Sequence, residues 1–287
     1  MLREVVARAL AEDLGALGDL TSVALVPEGA KGAGRFVARA AGVLAGTAAA
    51  TEVFAQLDSG VRISWRRRDG DALQAGEEFG LIRGRLRSVL AGERCALNFL
   101  GHLSGVATLT RAYVGAAGER ARVRDTRKTL PGLRALEKAA VRAGGGANHR
   151  GGLSDAVLIK DNHLRVCTIA EAVGRARSRW PGTVIEVECD TLEQVGEAKA
   201  AGADLVLLDN MSPDDVVRAV AVLGGTARIE VSGGITLDSV ADYAAAGADF
   251  ISVGALTHSA PVLDLALDLD PPGVGDAPRK TGPRGSS

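Results

Sequence analysis

Two stretches of this chain are written on one plan. IEVECDTLEQVGEAKAAGADLVLLDN begins at Ile185 and IEVSGGITLDSVADYAAAGADFISVGA begins at Ile229. Each reads as a strand, a helix, an AGAD turn and a second strand. The alternation extends beyond them, with strand-like runs at 122–125, 156–160, 184–188, 205–209, 228–231 and 250–253. Helix-period segments such as LRALEKAAVRAG and DDVVRAVAVLG lie between these runs. Apolar strands alternating with amphipathic helices imply βαβ units and a parallel sheet. Repeating units favour a barrel over a doubly wound sheet. Six such strands are legible, so the barrel is expected to stop short of eight.

The first ~105 residues follow another pattern. MLREVVARALAEDLG is an amphipathic helix with acids and bases mixed, unlike a signal peptide. Strand character follows near 34–38, 62–64 and 77–84. A long helix is then expected from Ser88 to about Leu109, apolar at Val89, Leu90, Leu97, Leu100 and Leu103. The expected organisation is an N-terminal α/β domain over 1–106 and a β/α barrel over 107–269. The Pro/Gly-rich segment 270–287 is expected to be a disordered tail. The apolar stretch 40–50 is too short to span a bilayer.

The formal charge of the whole chain is -1, which predicts neither a nucleic-acid nor a membrane partner. Against that background Arg127, Lys128, His149, Arg150 and Lys160 crowd into one glycine-rich stretch. Such a cluster suits a compact ligand with several negative charges. The run Trp65-Arg66-Arg67-Arg68 beside Asp69-Gly70 reads instead as a solvated face. Cys95, Cys167 and Cys189 stand far apart without metal-ligand spacing, as expected of reduced core thiols in a cytoplasmic protein.

Barrels collect function at the C-terminal ends of their strands. Here those ends are Asp125-Thr126-Arg127-Lys128, Lys160-Asp161-Asn162-His163, Glu186-Val187-Glu188, Asp209-Asn210, Ser232-Gly233-Gly234 and Val253-Gly254-Ala255. The glycine-bearing pair comes last, where barrels commonly hold a phosphate on backbone N–H groups. Glu188 and Asp209 face a basic wall. Carboxylates so placed bind a sugar diol, a metal such as Mg²⁺ or a developing positive charge, or else form an internal salt bridge with Lys160. Each residue alone has a structural reading, a strand-end charge reaching water. His102, His163 and His258 stay unassigned, with His102 expected to pack or make a structural hydrogen bond.

The motifs EDLGALGDLTS (12–22), GERCALNFL (92–100), DTRKTLPGLR (125–134), GGGANHRGGLSD (144–155), LIKDNH (158–163), LLDN (207–210), SGGI (232–235) and SVGALTHS (252–259) occur in order. In these the chain resembles the quinolinate phosphoribosyltransferase family, from Glu12 to about Leu265. The resemblance implies an N-terminal α/β sandwich and a C-terminal open α/β barrel. It implies transfer of phosphoribosyl from phosphoribosyl pyrophosphate to quinolinate with loss of CO₂, a step of NAD biosynthesis that uses Mg²⁺. By the same resemblance Arg127, Lys128, His149, Arg150 and Arg94 meet the quinolinate carboxylates, beside Thr126. Arg94 would enter from the neighbouring subunit of a homodimer, which could assemble further. Lys160, Glu188 and Asp209 would flank the phosphoribosyl group, with Lys128, Lys160, Glu188 and Asp209 as catalytic residues. Glu188 and Asp209 are also the candidate Mg²⁺ ligands. Ser232, Gly233, Gly234, Val253, Gly254 and Ala255 would hold the 5′-phosphate.

Rival readings remain open at this level. A relative acting on nicotinate would need fewer carboxylate-binding groups than are present. A transport-associated homologue shares much of the motif set, and a non-catalytic phosphosugar-binding protein would lack turnover. A Schiff-base aldolase would require Lys128 or Lys160 in a desolvated, poorly charged setting, and both lie beside acids.

Overall fold

The computed structural model describes residues 1–271. The tail expected from 270 onward therefore lies, from residue 272, outside the described residues. Two compact units emerge, one of 1–101 with the segment from Leu263, the other of 102–262.

The first unit contains α1 (Leu2–Leu14), α2 (Leu20–Leu25), β1 (Lys31–Ala38), β2 (Gly42–Val43), α3 (Thr47–Leu57), β3 (Arg62–Trp65), β4 (Ala72–Leu73) and β5 (Glu78–Arg85). The long helix α4 (Leu86–Ala117) begins there and carries the unit boundary within it. The second unit continues with β6 (Arg122–Arg124), α5 (Arg134–Ala143), β7 (Val157–Ile159), α6 (Ile169–Arg179), β8 (Ile185–Cys189) and α7 (Leu192–Ala200). It is completed by β9 (Leu205–Asp209), α8 (Pro213–Leu223), β10 (Arg228–Ser232), α9 (Val240–Ala245), β11 (Phe250–Ser252) and α10 (Ala255–His258). The chain then returns to the first unit as β12 (Leu265–Leu269).

In the first unit the antiparallel sheet runs β12-β1-β5-β3. Phe36, Phe79 and Trp65 cluster on one face, with Phe36 and Trp65 ring centroids 4.9 Å apart. The Trp65 indole N–H donates to Thr51 Oγ1 of α3 at 3.0 Å, so helix and sheet form two layers. At the start of α4, Arg85 places Nε 2.8 Å and Nη2 3.1 Å from the buried Asp58 carboxylate, which also accepts from Ser88 Oγ. The hydrogen bonds from Arg85, then those from Gly60 N–H and Ser88, hold the Asp58 carboxyl well below the usual range.

Because β12 pairs with β1, from Gly34 opposite Leu269 to Ala38 opposite Leu265, it is not part of the barrel. A barrel running to 269 thus includes one strand that belongs elsewhere. The compact units themselves divide at 101/102, within α4. Nothing in the local pattern of LALDL distinguishes one sheet as its host, since pairing is decided by tertiary context.

The second unit holds a six-stranded parallel sheet in the order β6-β11-β10-β9-β8-β7. Among the described residues no ladder joins β6 to β7, so the barrel is open. Instead the GGGANHR segment runs beside β6: the Ala147 N–H donates to Val123 O at 2.8 Å and the Asp125 N–H to Ala147 O at 3.2 Å. Its glycines permit this. A Cβ on Gly146 would lie 2.8 Å from Thr110 Cγ2 of α4, and one on Gly144 2.5 Å from Ala107 O.

The repeated AGAD turn has a specific job. Asp204 Oδ2 accepts the N–H of Ile185, and Asp249 Oδ2 accepts that of Ile229, each at 2.8 Å. The aspartate opening one strand thereby fastens the start of the preceding one. Strand parity then separates two environments. Ile185, Val187 and Cys189 are buried toward the helices, while Glu186 and Glu188 point the other way. Burial pushes the Cys189 thiol up to about 12. Cys95 is likewise buried, and all three cysteines are free.

Candidate active site

The interior-facing residues meet in a cavity of about 220 Å³ at the C-terminal strand ends. Thr126, Arg127 and Lys128 follow β6, and His149 and Arg150 come from the segment beside it. Lys160 follows β7, while Glu188, Asp209 and Ser232 end β8, β9 and β10. The expected basic and acidic residues are thus brought together. Leu158, Leu207, Glu230 and Ser252 complete the lining.

The basic wall is built for an anion. Arg127 Nε and Arg150 Nε are buried without a hydrogen-bond partner, although buried donors are normally satisfied. Burial first, and the Arg127 charge second, pull the Arg150 pKa down. Two guanidinium groups held this close favour a ligand that spreads negative charge across both. The Lys128 stem lies against Gly254, where a Cβ would stand 3.2 Å from Lys128 Cδ. Thr257 Oγ1 donates to Lys128 O at 2.7 Å, tying the DTRK loop to the last strand end.

Opposite this wall, Lys160 Nζ is ion-paired with Glu188 Oε2. The salt bridge weighed as the alternative for Glu188 is therefore present, with Lys160 half exposed. Asp209 pairs differently: its Oδ2 accepts the Asn210 side-chain N–H at 2.8 Å. Two carboxylates lining one cavity provide a donor set that Mg²⁺ commonly takes alongside substrate phosphate oxygens.

The glycine-rich ends are close but do not line the cavity. Ser232 does, whereas Gly233, Gly234, Val253, Gly254 and Ala255 are not among its lining residues. Arg94 lies in the other unit, exposed on α4.

Below the cavity is a polar layer that joins Asp125, His149 and Glu186 to Lys138, Arg124 and Glu230. Asp125 is fully buried and accepts the His149 N–H at 2.9 Å and Asn148 Nδ2 at 2.5 Å. Lys138 Nζ pairs with Asp125 and donates to His149 O at 2.9 Å. His149 Nε2 stands 3.2 Å from Glu186 Oε2 and 3.3 Å from Glu230 Oε1. Arg124 Nη1 donates to Glu230 Oε2 at 2.6 Å, and Ser252 Oγ bonds Glu230 Oε1. Burial, then the Glu186 charge, raises the Glu230 pKa. For His149 burial opposes charge, but the hydrogen bond to Glu186 and the fields of Glu230 and Glu186 outweigh it, a net upward shift.

His149, Glu186 and Glu230 place three ligand-type atoms within 4.8 Å of one another. The direct hydrogen bonds and the Arg124 pair already account for this grouping. The remaining histidines are structural in their contacts. His102 Nε2 meets the buried Glu137 at 2.8 Å, as its placement on the helix led one to expect. His163 Nδ1 accepts the Lys160 N–H at 2.9 Å, and His258 Nδ1 meets Ser259 Oγ at 2.6 Å.

An open parallel barrel whose strand ends oppose guanidinium groups with buried, unpartnered Nε atoms to paired carboxylates defines an enzyme of small anionic substrates. Residues 19–104 match the N-terminal domain of quinolinate phosphoribosyl transferase and 106–268 its C-terminal domain. Nicotinate-nucleotide pyrophosphorylase (carboxylating) of Mycobacterium leprae is 44% identical over 274 residues, covering 93% of this chain and 96% of that protein. The probable nicotinate-nucleotide pyrophosphorylase (carboxylating) of Bacillus subtilis is 45% identical over 261 residues, covering 90% of each. The solved structure of the nicotinate-nucleotide pyrophosphorylase from Francisella tularensis superposes with a TM-score of 0.89 at 40% identity, over 94% of this chain and 96% of that one. The chain belongs to the quinolinate phosphoribosyltransferase family.

Proposed function

We propose that this chain transfers phosphoribosyl from phosphoribosyl pyrophosphate to quinolinate with decarboxylation, giving nicotinate mononucleotide, pyrophosphate and CO₂ in de novo NAD biosynthesis. The observation that carries this reading is the pair of unpartnered guanidinium edges of Arg127 and Arg150 beside Lys128. A base with two adjacent carboxylates needs paired cationic donors, and the planar fork of Arg matches a carboxylate.

In this reading Arg127, Lys128 and Arg150 bind the base carboxylates, with Thr126 and His149 lining the same end. Glu188 and Asp209 lie where positive charge develops at ribose C1 as pyrophosphate departs, and stabilise it electrostatically. Lys160, tied to Glu188, orients that carboxylate and meets the leaving pyrophosphate. The base nitrogen becomes cationic on attack, and that charge stabilises the carbanion left when the neighbouring carboxylate leaves as CO₂, until that carbon takes a proton from water. Holding the two reactants in line supplies much of the rate. Mg²⁺, when bound with the diphosphate, would be held by Glu188 and Asp209 and would offset the leaving group's charge. Ser232 and the backbone N–H groups of Gly233, Gly234, Val253, Gly254 and Ala255 form the 5′-phosphate site, the end of a barrel where such groups commonly hold an anion.

The reading extends to a homodimer in which Arg94, exposed on α4, completes the partner's base site. Among the described residues no helix is long and apolar enough to cross a membrane. Three free cysteines support a cytoplasmic setting.

The decisive experiment measures CO₂ release and nicotinate mononucleotide formation from phosphoribosyl pyrophosphate and Mg²⁺, with quinolinate and nicotinate side by side. Turnover with quinolinate alone is expected. Turnover with nicotinate, or with neither, overturns the two-carboxylate assignment.

A further inference from the structure

Two acids buried directly behind a cationic binding wall call for an explanation, because each reduces the positive potential that holds an anionic base. Glu186 and Glu230 are almost wholly inaccessible. Arg124 offsets only Glu230, and Glu186 Oε1 has no hydrogen-bond partner. A buried carboxylate is costly unless it is paired and hydrogen-bonded, so the contacts of its other oxygen carry the weight.

Those contacts are made at His149. Its Nε2 faces both acids, while Nδ1 accepts the backbone N–H of Arg150 at 2.7 Å. A ring nitrogen that accepts an N–H carries no proton. The acids favour a second proton on the ring, the net upward shift noted above, but this is opposed by the Arg150 N–H that Nδ1 already accepts, and the hydrogen-bond geometry prevails. A second proton could sit only on Nδ1, at the cost of the Arg150 bond. The geometry therefore describes a neutral imidazole with its proton on Nε2.

We propose that Glu186 and Glu230 are positioning residues of the base site, which hold His149 as a neutral Nε2–H ring whose Nδ1 fixes the backbone of Arg150. His149 is then an anchor and wall of the pocket, and the charge that meets the base carboxylates comes from the Arg and Lys side chains. The surrounding groups agree with this. Asp125, from the end of β6, takes the His149 N–H, and Lys138, from α5, takes its carbonyl oxygen. Arg124 on β6 restrains Glu230 from the far side. With ring and main chain tied at each polar atom, Arg150 is held where its Nε stays unpartnered and Nη1 reaches only Ala156 O at 3.2 Å.

The proposal makes use of the quinolinate reading, but one arm of its test does not. In protein labelled with ¹⁵N-histidine, the His149 signals, assigned by their loss in His149→Gln, are followed from pH 6 to 8 without substrate. An Nε2–H ring with unprotonated Nδ1 is expected throughout. A doubly protonated ring, or an Nδ1–H tautomer, overturns the proposal whatever the enzyme acts on.

The second arm is kinetic. Glu186→Gln keeps an oxygen acceptor for Nε2–H, so the KM for quinolinate should stay within about threefold. Glu186→Leu removes the nearer acceptor and leaves Nε2–H only the 3.3 Å approach to Glu230 Oε1, so the KM should rise about tenfold or more, with the KM for phosphoribosyl pyrophosphate unchanged. Equal losses in both variants would mean that the acid's charge, not its acceptor, matters. A matching rise in the other KM would mean a general structural role. Either result overturns the proposal. Absence of quinolinate turnover in the unsubstituted protein would instead defeat the functional reading and leave the ring assignment standing.

Discussion

The side chain of Asn210 occupies the place where a Cβ on Gly233 would stand: the two positions are 2.2 Å apart. Asn210 has φ 54 and its N–H donates to Ser232 O at 2.9 Å, so β9 and β10 lock together at the cavity rim. This accounts for the first glycine of SGG sterically, apart from any phosphate. Gly233→Ala meets both this clash and a φ of 97°. It should cost about 1–3 kcal/mol and lower kcat, since Asn210 also bonds Asp209. Gly234, at φ 60°, has nothing within 4 Å of its would-be Cβ. Its replacement by Ala should cost only about 1–2 kcal/mol. Thermal melts and kcat for the two variants check the contrast.

Base binding and bond breaking should separate in kinetics. Lys128→Ala and Arg150→Ala remove donors from the anion wall, so each should raise the KM for quinolinate about tenfold or more. Glu188→Ala and Asp209→Ala remove charge needed chiefly in the transition state, and should lower kcat by about 10²–10³. An unchanged quinolinate KM in both cation variants would move the base elsewhere.

The proposed exchange of Arg94 can be read from mixtures. Assayed at quinolinate well below the raised KM, Arg94→Ala and Lys128→Ala proteins should each retain about a tenth of the activity or less. In a hybrid dimer one site regains both residues, so subunit exchange at equal amounts should restore about a quarter of full activity. No recovery after exchange has been verified by mass would exclude a shared site.

Asp58 offers a pH test in the first unit. Its folded carboxyl is held low chiefly by the Arg85 hydrogen bonds. A depressed pKa contributes stability above the unfolded value, near ~4, and loses it as pH falls toward the folded one. Asp58→Asn should therefore lower Tm by a few degrees at pH 7, with the gap narrowing below about pH 4. A gap independent of pH would assign the effect to packing.

Much of this was legible in the sequence because hydrophobic alternation survives without tertiary help. The six barrel strands fall within a residue or so of their expected places, and the basic and acidic strand ends converge as anticipated. Glu230 was missed, although the repeat itself pointed to it. With Ile185 set on Ile229, Glu186 falls on Glu230, and both share the inward parity of Glu188 and Ser232. Glu230 stands two residues before the strand end at Ser232, inside β10 and not at its rim. Asp125 was noticed as part of a basic motif, yet it turns away from the cavity to hold Asn148 and His149. β12 and α3 were not anticipated. An Ala-rich helix such as TAAATEVFAQL and a five-residue alternating strand carry too little periodicity to stand out alone.

The pairing of β1 with β12 has a consequence for how the chain comes off the ribosome. β1 waits with one edge unfilled while the whole barrel is synthesised, and an open edge invites wrong partners. The later-made unit can close on its own residues before the earlier-made one is finished. Synthesis order and completion order are thus reversed in this molecule. Any stall between the barrel and Leu265 leaves a nascent chain with a finished catalytic half and a sticky, incomplete sheet.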